Sequence, residues 1–316
     1  MSDTKQPLPL IMDGGMGTEL KPYIDPADYT TLWSAAAFCT PEGESAIVRA
    51  HVAFLQAGAN LILTNSYACT QEMLGKRTLN HLQSQWIQRA CTLAHTAVAS
   101  FADRKILVGG SIPPLRCSYR PDLVMDNDKM REEYEVIVQS LIEGKVDILV
   151  CETMSCVREA TVAVTTARRF APTKPVWVSV TLQDELLHNG QAVLRSGETL
   201  DEFVSALDTH VDAFFLNCCL PEVATVAIAT LTSLTTKPIG VYANRFKAIP
   251  HGWCLDSRSS EGGLLARRTD LNPEQYAAYA REWRSMGASI VGGCCGITPD
   301  HIRAVAKEVH VSGVAS

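Results

Sequence analysis

The stretch ILVCETMSCVREATVAVTTARRFAPTKPVWVSVTL, residues 148–182, reads as strand, helix, strand. Ile148–Val150 is a short apolar run that stops at Cys151-Glu152-Thr153, and Val176–Leu182 is a second run that stops at Gln183-Asp184. Both runs are short and rich in β-branched residues and a helix separates them, so each is expected to be buried on both faces, as strands of a parallel sheet are. Val157–Phe170 lies between them with amphipathic helical spacing, which completes a βαβ unit.

The same unit recurs in both directions along the chain. Leu8–Met12, Leu61–Leu63, Ile106–Val108, Ala213–Leu216, Ile239–Tyr242 and Ser289–Val291 are further strand candidates, each ending at turn or polar residues. Helical stretches follow at Pro41–Ala57, Leu82–Phe101, Met130–Ile142, Leu200–Leu207, Pro221–Leu234, Pro273–Met286 and Pro299–Val309. Thr40-Pro41, Leu220-Pro221, Asn272-Pro273 and Thr298-Pro299 put proline in the first helical turn, with Thr and Asn available as caps. Eight strand–helix units without an interdomain gap predict an α/β chain folded as one (β/α)8 TIM barrel over residues 1–316. A doubly wound open sheet is the alternative, but no Gly-x-Gly-x-x-Gly follows the first strand. Three connections after strands are long: Glu19–Thr40, Pro113–Lys129 and Arg245–Leu271, the last holding Gly252, Gly262 and Gly263. In a barrel such loops build the catalytic face, so these are candidate lids.

With 47% hydrophobic and 20% charged residues, the 316-residue chain has the composition of a soluble enzyme. A net charge of -6 without extended basic clusters argues against nucleic acid and anionic membranes as partners. Met1–Pro9 lacks the apolar run of a secretory signal, and no stretch is long and apolar enough to span a bilayer, so the cytoplasm is the expected location. Disulfides are rare there, which leaves burial, metal binding or catalysis to account for 11 cysteines.

Two cysteine pairs stand at predicted strand ends. Cys294-Cys295 sits in Gly292-Gly293-Cys294-Cys295-Gly296, after the eighth strand, and Cys218-Cys219 follows the sixth. Adjacent side chains on a strand point to opposite faces, so two neighbouring thiolates reach one metal only where the backbone bends, and flanking glycines permit that bend. Three thiolates with an open position form a catalytic zinc arrangement, whereas four form a structural one. Spacing does not decide which of Cys218 and Cys219 points inward. Cys39, Cys69, Cys91, Cys117, Cys151, Cys156 and Cys254 lack such partners, and the eight histidines show no paired ligand spacing.

Taken together, Asp13-Gly14-Gly15-Met16-Gly17-Thr18, Leu32-Trp33-Ser34, Thr64-Asn65-Ser66-Tyr67, Glu152-Thr153, Asn217-Cys218 and the Gly292–Gly296 segment resemble the homocysteine S-methyltransferase family. The resemblance runs from about Leu8 to Val309. It implies a barrel whose zinc is held by Cys218, Cys294 and Cys295 at the C-terminal face of the strands, with Cys219 a bystander. It also implies small-molecule substrates, homocysteine and a methyl donor. Zinc coordination would turn the homocysteine thiol into a thiolate that attacks the methyl group.

Asp13 and Glu152 are suited to hold the homocysteine ammonium, and the amides of Gly14 to Thr18 to receive its carboxylate. Asn65 and Asn244 lie at strand ends, Asn244 where the family often has an asparagine near zinc. Trp33 and Tyr67 could meet a sulfonium donor by cation–π attraction. The short length resembles the branch that uses S-methylmethionine or S-adenosylmethionine, with S-methylmethionine the first expectation. Alternatives are selenohomocysteine or selenocysteine as acceptor, a metal-free phosphate-binding barrel, and a non-enzymatic zinc or redox barrel closed by Cys219 as a fourth ligand.

Overall fold

The computed structural model describes residues 10–250, 252–254 and 265–312. Leu8 and Pro9 of the first predicted strand, and Gly262 and Gly263 of the last long loop, lie outside the described residues. Eight strands form one sheet: β1 (Leu10–Ile11), β2 (Leu61–Leu63), β3 (Leu107–Ile112), β4 (Ile148–Met154), β5 (Val176–Val180), β6 (Ala213–Asn217), β7 (Ile239–Tyr242) and β8 (Ile290–Val291). Each is parallel to its neighbours, in the order β1-β8-β7-β6-β5-β4-β3-β2. A parallel bridge from Met12 to Leu61 brings β1 back to β2 and closes the barrel. Its backbone bonds run from Asp13 N to the Leu61 carbonyl and from Asn60 N to the Ile11 carbonyl, at 3.0 and 2.9 Å. The open-sheet alternative is thereby excluded.

The helices follow the predicted alternation: α1 (Pro41–Gln56), α2 (Gln83–Val98), α3 (Asn127–Glu143), α4 (Val157–Phe170), α5 (Leu200–Leu207), α6 (Pro221–Leu234), α7 (Pro273–Ser285) and α8 (Pro299–Ser312). Thr40 caps α1 through Gly43 N, and Asn272 caps α7 through Gln275 N. Both caps stand directly before a proline, where the first turn has no donor to lose. Shorter helices at Met16–Leu20 and Pro26–Leu32 fill the long first connection. Among the described residues, no helix is long and apolar enough to cross a membrane.

Three strands run further than the sequence predicts, β6 by the single residue Asn217. β3 continues through Gly109-Gly110-Ser111, paired to β4 from Gly109–Ile148 to Ile112–Cys151. Pairing with β4 throughout, and with β2 as far as Gly109, overrides the weak strand preference of glycine. β4 continues through Glu152 and Thr153 to Met154, with an irregularity between Cys151 and Met154.

Burial divides the apolar side chains into two groups. The larger packs between sheet and helices; the smaller, with Met12, Leu61, Ile148, Val150, Trp177, Phe215, Tyr242 and Ile290, plugs the barrel axis. Trp177 stacks on Phe215 at 5.0 Å, and Phe215 meets Tyr242 edge-on at 5.9 Å. This plug forms a rigid floor beneath the C-terminal ends of the strands, where the cysteine pairs emerge.

Candidate metal centre and substrate pocket

Asn217, the last residue of β6, fixes how that strand ends. Its Oδ1 accepts from Thr153 N at 2.9 Å and from Ser179 Oγ at 2.6 Å, while its Nδ2 donates to Thr153 Oγ1 at 2.8 Å. The side chain is fully buried and ties three strands together. Immediately beyond it, Cys218 takes a left-handed conformation with φ 49°, and Thr153 across the clamp does the same with φ 61°. Such conformations are costly for residues with a Cβ and persist where their surroundings impose them. Left-handed backbone at Cys218 decides what spacing left open. Cys218 lines the central cavity, whereas Cys219 packs into the core between sheet and helices.

At β8 the bend comes from glycine. Gly296 has φ 79°, and a Cβ on Gly293 would stand 2.2 Å from the Ile297 side chain. Only a bare backbone fits there, and the turn it allows lets Cys294 and Cys295 both face the cavity. Cys294 N bonds the Ala243 carbonyl and Ile297 N the Cys294 carbonyl, at 2.9 and 3.1 Å.

Three sulfurs therefore converge. Cys218 Sγ lies 2.9 Å from Cys294 Sγ and 3.8 Å from Cys295 Sγ. Among the described residues, Cys218, Cys294 and Cys295 form the one group of three or more potential ligands whose atoms lie within 4.8 Å of one another. Thiolates around a tetrahedral zinc at about 2.3 Å stand about 3.8 Å apart, so small side-chain rotations suffice. Without a metal the three thiols compete. Bonds from Cys294 and Cys295 hold Cys218 well below the usual thiol range, and their bonds to Cys218 push both of those thiols up. A divalent cation would relieve that conflict, so the donor set fits a metal. Cys219 stands outside the group, fully buried, its thiol pushed up to about 12 by burial, which removes the closed four-cysteine arrangement.

The cavity around these sulfurs measures about 450 Å³. Asp13, Gly14, Trp33, Asn65, Tyr67 and Glu152 line it, as the sequence reading expects. Asp13 Oδ2 accepts from Leu63 N at 2.9 Å. Glu152 accepts from Ser111 Oγ, and from the Tyr242 hydroxyl at 3.4 Å. Both carboxyls are buried. Burial pushes Asp13 well above the carboxylate range, with the nearby Glu152 adding to the effect, and burial pushes Glu152 up to about 7. Neither has a basic side-chain partner among the described residues.

Other expectations are modified. Asn244 is not among the residues that line the cavity; its Oδ1 accepts from Phe246 N, and its buried Nδ2 has no partner among the described residues. Within the Gly14–Thr18 turn, the amides of Gly15, Met16 and Thr18 already donate to the carbonyls of Ile297, Gly14 and Gly15, which narrows the expected carboxylate cradle. Cys117 and Cys254, read as unpartnered, form a disulfide across 137 residues. It joins the loop after β3 to the loop after β7, two of the predicted lids. Neighbours in a ring of strands are remote in sequence, so spacing could not pair them.

Residues that sequence reading missed also reach the cavity, among them Tyr29, Lys21, Tyr119, Phe246, Trp253 and Arg267. Trp33 sits at φ 47°, donates Nε1–H to the Tyr29 hydroxyl at 3.0 Å, and meets Tyr67 edge-on at 5.7 Å. Tyr119 and Trp253, 5.6 Å apart, extend this aromatic wall.

Comparison with known proteins agrees with this geometry. The profile described as homocysteine S-methyltransferase matches residues 10–309. The homocysteine S-methyltransferase of Escherichia coli (strain K12) is 29% identical over 94% of this chain and 94% of its own. The homocysteine S-methyltransferase YbgG of Bacillus subtilis (strain 168) is 28% identical over 94% and 93%. Among solved structures, the metallated form of the homocysteine methyltransferase MmuM from Escherichia coli superposes with a TM-score of 0.78 at 26% identity, covering 96% of each chain.

Proposed function

Since the chain belongs to the homocysteine S-methyltransferase family, we propose that it transfers a methyl group from a sulfonium donor, S-methylmethionine or S-adenosylmethionine, to the thiol of L-homocysteine, forming methionine. Cys218, Cys294 and Cys295 would hold zinc, whose soft sulfur donors favour it over magnesium or calcium. When bound, zinc supplies the Lewis acidity that keeps the homocysteine sulfur a thiolate at neutral pH.

The observation that carries this reading is the meeting, in one cavity, of three convergent thiols with two buried carboxyls. The thiols suit a metal that activates sulfur; Asp13 and Glu152 suit an amino acid's ammonium. With the ammonium seated there, both carboxylates become favourable and the substrate sulfur is directed towards the three cysteines. Trp33 and Tyr67 line the same cavity, and their rings would attract a sulfonium cation and exclude water. The homocysteine sulfur forms a bond to the methyl carbon as the carbon–sulfonium bond breaks. The leaving group is a neutral thioether and takes no proton, so a general acid is unnecessary. S-methylmethionine is the preferred donor because a small donor needs only a small pocket. Selenohomocysteine is an alternative acceptor by the same chemistry.

The test is methionine formation from homocysteine carrying a heavy-isotope label in its carbon chain, with either donor, followed by mass spectrometry. Labelled methionine from one donor, lost in Cys294→Ala, supports the reading. Absence of labelled methionine with both donors, in protein shown to contain metal, overturns it.

A further inference from the structure

The Tyr119 hydroxyl donates to Cys218 Sγ at 3.0 Å. Tyr119 comes from the loop after β3, remote in sequence from every cysteine of the site, and the functional reading above gives it no role beyond the cavity wall. Its orientation is imposed from behind. The Arg195 guanidinium lies over the Tyr119 ring, 5.1 Å from its centroid. Arg195 in turn is paired with Asp184 at 2.8 and 3.1 Å, the two side chains only 10% and 8% exposed. Asp184 also accepts from Ile249 N at 2.7 Å, so the pair links the loops after β5 and β7. Trp253 packs against the ring on another side at 5.6 Å. Buried ion pairs of this kind stabilise weakly after desolvation but fix geometry, and here what they fix is one hydroxyl on one sulfur.

We propose that Tyr119 is a positioning residue of the metal centre: its hydroxyl holds the Cys218 sulfur in place and draws charge from it, and the Arg195–Asp184 pair holds Tyr119. The inference rests on the reading of Cys218 as a metal ligand. A hydrogen bond to a metal-bound thiolate lowers the charge it donates, so the metal keeps more of its Lewis acidity for the substrate sulfur. The same bond limits the swing of Cys218, whose backbone is already constrained in the left-handed region.

The test uses the full chain loaded with Co2+, whose thiolate-to-metal charge-transfer band reports the electron richness of the sulfurs. Tyr119→Phe keeps the ring, its packing on Trp253 and the face seen by Arg195, and removes only the hydroxyl. The expected result is a band shifted to longer wavelength than in the parent protein, and Zn2+ extraction by a chelator at about 10- to 100-fold lower chelator concentration. Arg195→Lys keeps the charge but loses the planar stack, and is expected to shift both readouts in the same direction by less. A merely structural role would lower the melting temperature and leave the band unmoved. An unshifted band with unchanged Zn2+ retention in Tyr119→Phe overturns the inference while leaving the metal site intact. Absence of any thiolate–Co2+ band in the parent protein overturns the metal reading itself, and this inference with it.

Discussion

Replacing Glu152 with glutamine should stabilise the substrate-free protein and impair its use of homocysteine. Burial keeps Glu152 protonated up to about 7 in the folded chain, whereas an ordinary glutamate releases its proton near 4.5. The folded state therefore binds the proton more tightly than the unfolded state. The sign follows: this group costs nothing below about pH 4.5, and stability falls as pH rises through 7. Fully developed at pH 8, the difference corresponds to at most about 3 kcal/mol. Glutamine has nearly the same shape and can still accept from Ser111, so about 1–3 kcal/mol of that cost should be recovered. Homocysteine, however, loses a charged partner for its ammonium, worth about 1.5–3 kcal/mol, so its KM should rise about 10- to 100-fold. The assay pairs urea unfolding of both proteins at pH 5 and pH 8, without substrate, with steady-state kinetics at pH 8. The glutamine variant should be the more stable at pH 8, and the gap should shrink at pH 5. Equal stability at pH 8 together with an unchanged homocysteine KM would refute the assignment of a strained, substrate-paired carboxylate.

Alanine at Cys218, Cys294 or Cys295 should reduce bound metal to background by mass spectrometry of the eluted ion, whereas Cys219→Ala should retain it, since Cys219 packs into the core outside the sulfur cluster. Trp33→Ala removes a ring from the aromatic wall and should raise the donor KM about 2- to 30-fold with little effect on homocysteine KM; parallel titration of the two substrates separates these. The Cys117–Cys254 bridge closes a long segment of chain, so Cys117→Ser should lower unfolding stability by up to about 5 kcal/mol. Mass spectrometry after alkylation of native protein should find those two cysteines unmodified unless a reductant is added first.

The barrel was legible because its strands are buried on both faces and its helices on one, so two periodicities alternate along the chain. Strand ends were less so. β3 absorbs Gly109-Gly110-Ser111 and β4 absorbs Glu152-Thr153, because pairing with neighbours remote in sequence decides where a strand stops. Most proposed substrate contacts sit at strand tips, and tips are found by finding strands; Asp13, Asn65 and Glu152 all line the cavity for this reason. The inward turn of Cys218 could not be read from spacing, because it depends on the clamp that Asn217 makes with Thr153 and Ser179. Tyr119, Arg195 and the Cys117–Cys254 disulfide were hidden for a related reason. They belong to loops whose partners lie across the ring, and no local pattern in a loop names a partner so far away.

The central claim is that three cysteines hold a metal with one position free for the homocysteine sulfur. X-ray absorption at the zinc edge, recorded on zinc-loaded protein before and after homocysteine is added, tests it directly. Three sulfur neighbours and one lighter atom, becoming four sulfurs with homocysteine, is the predicted result. Four sulfurs at the outset, unchanged by homocysteine, would contradict it.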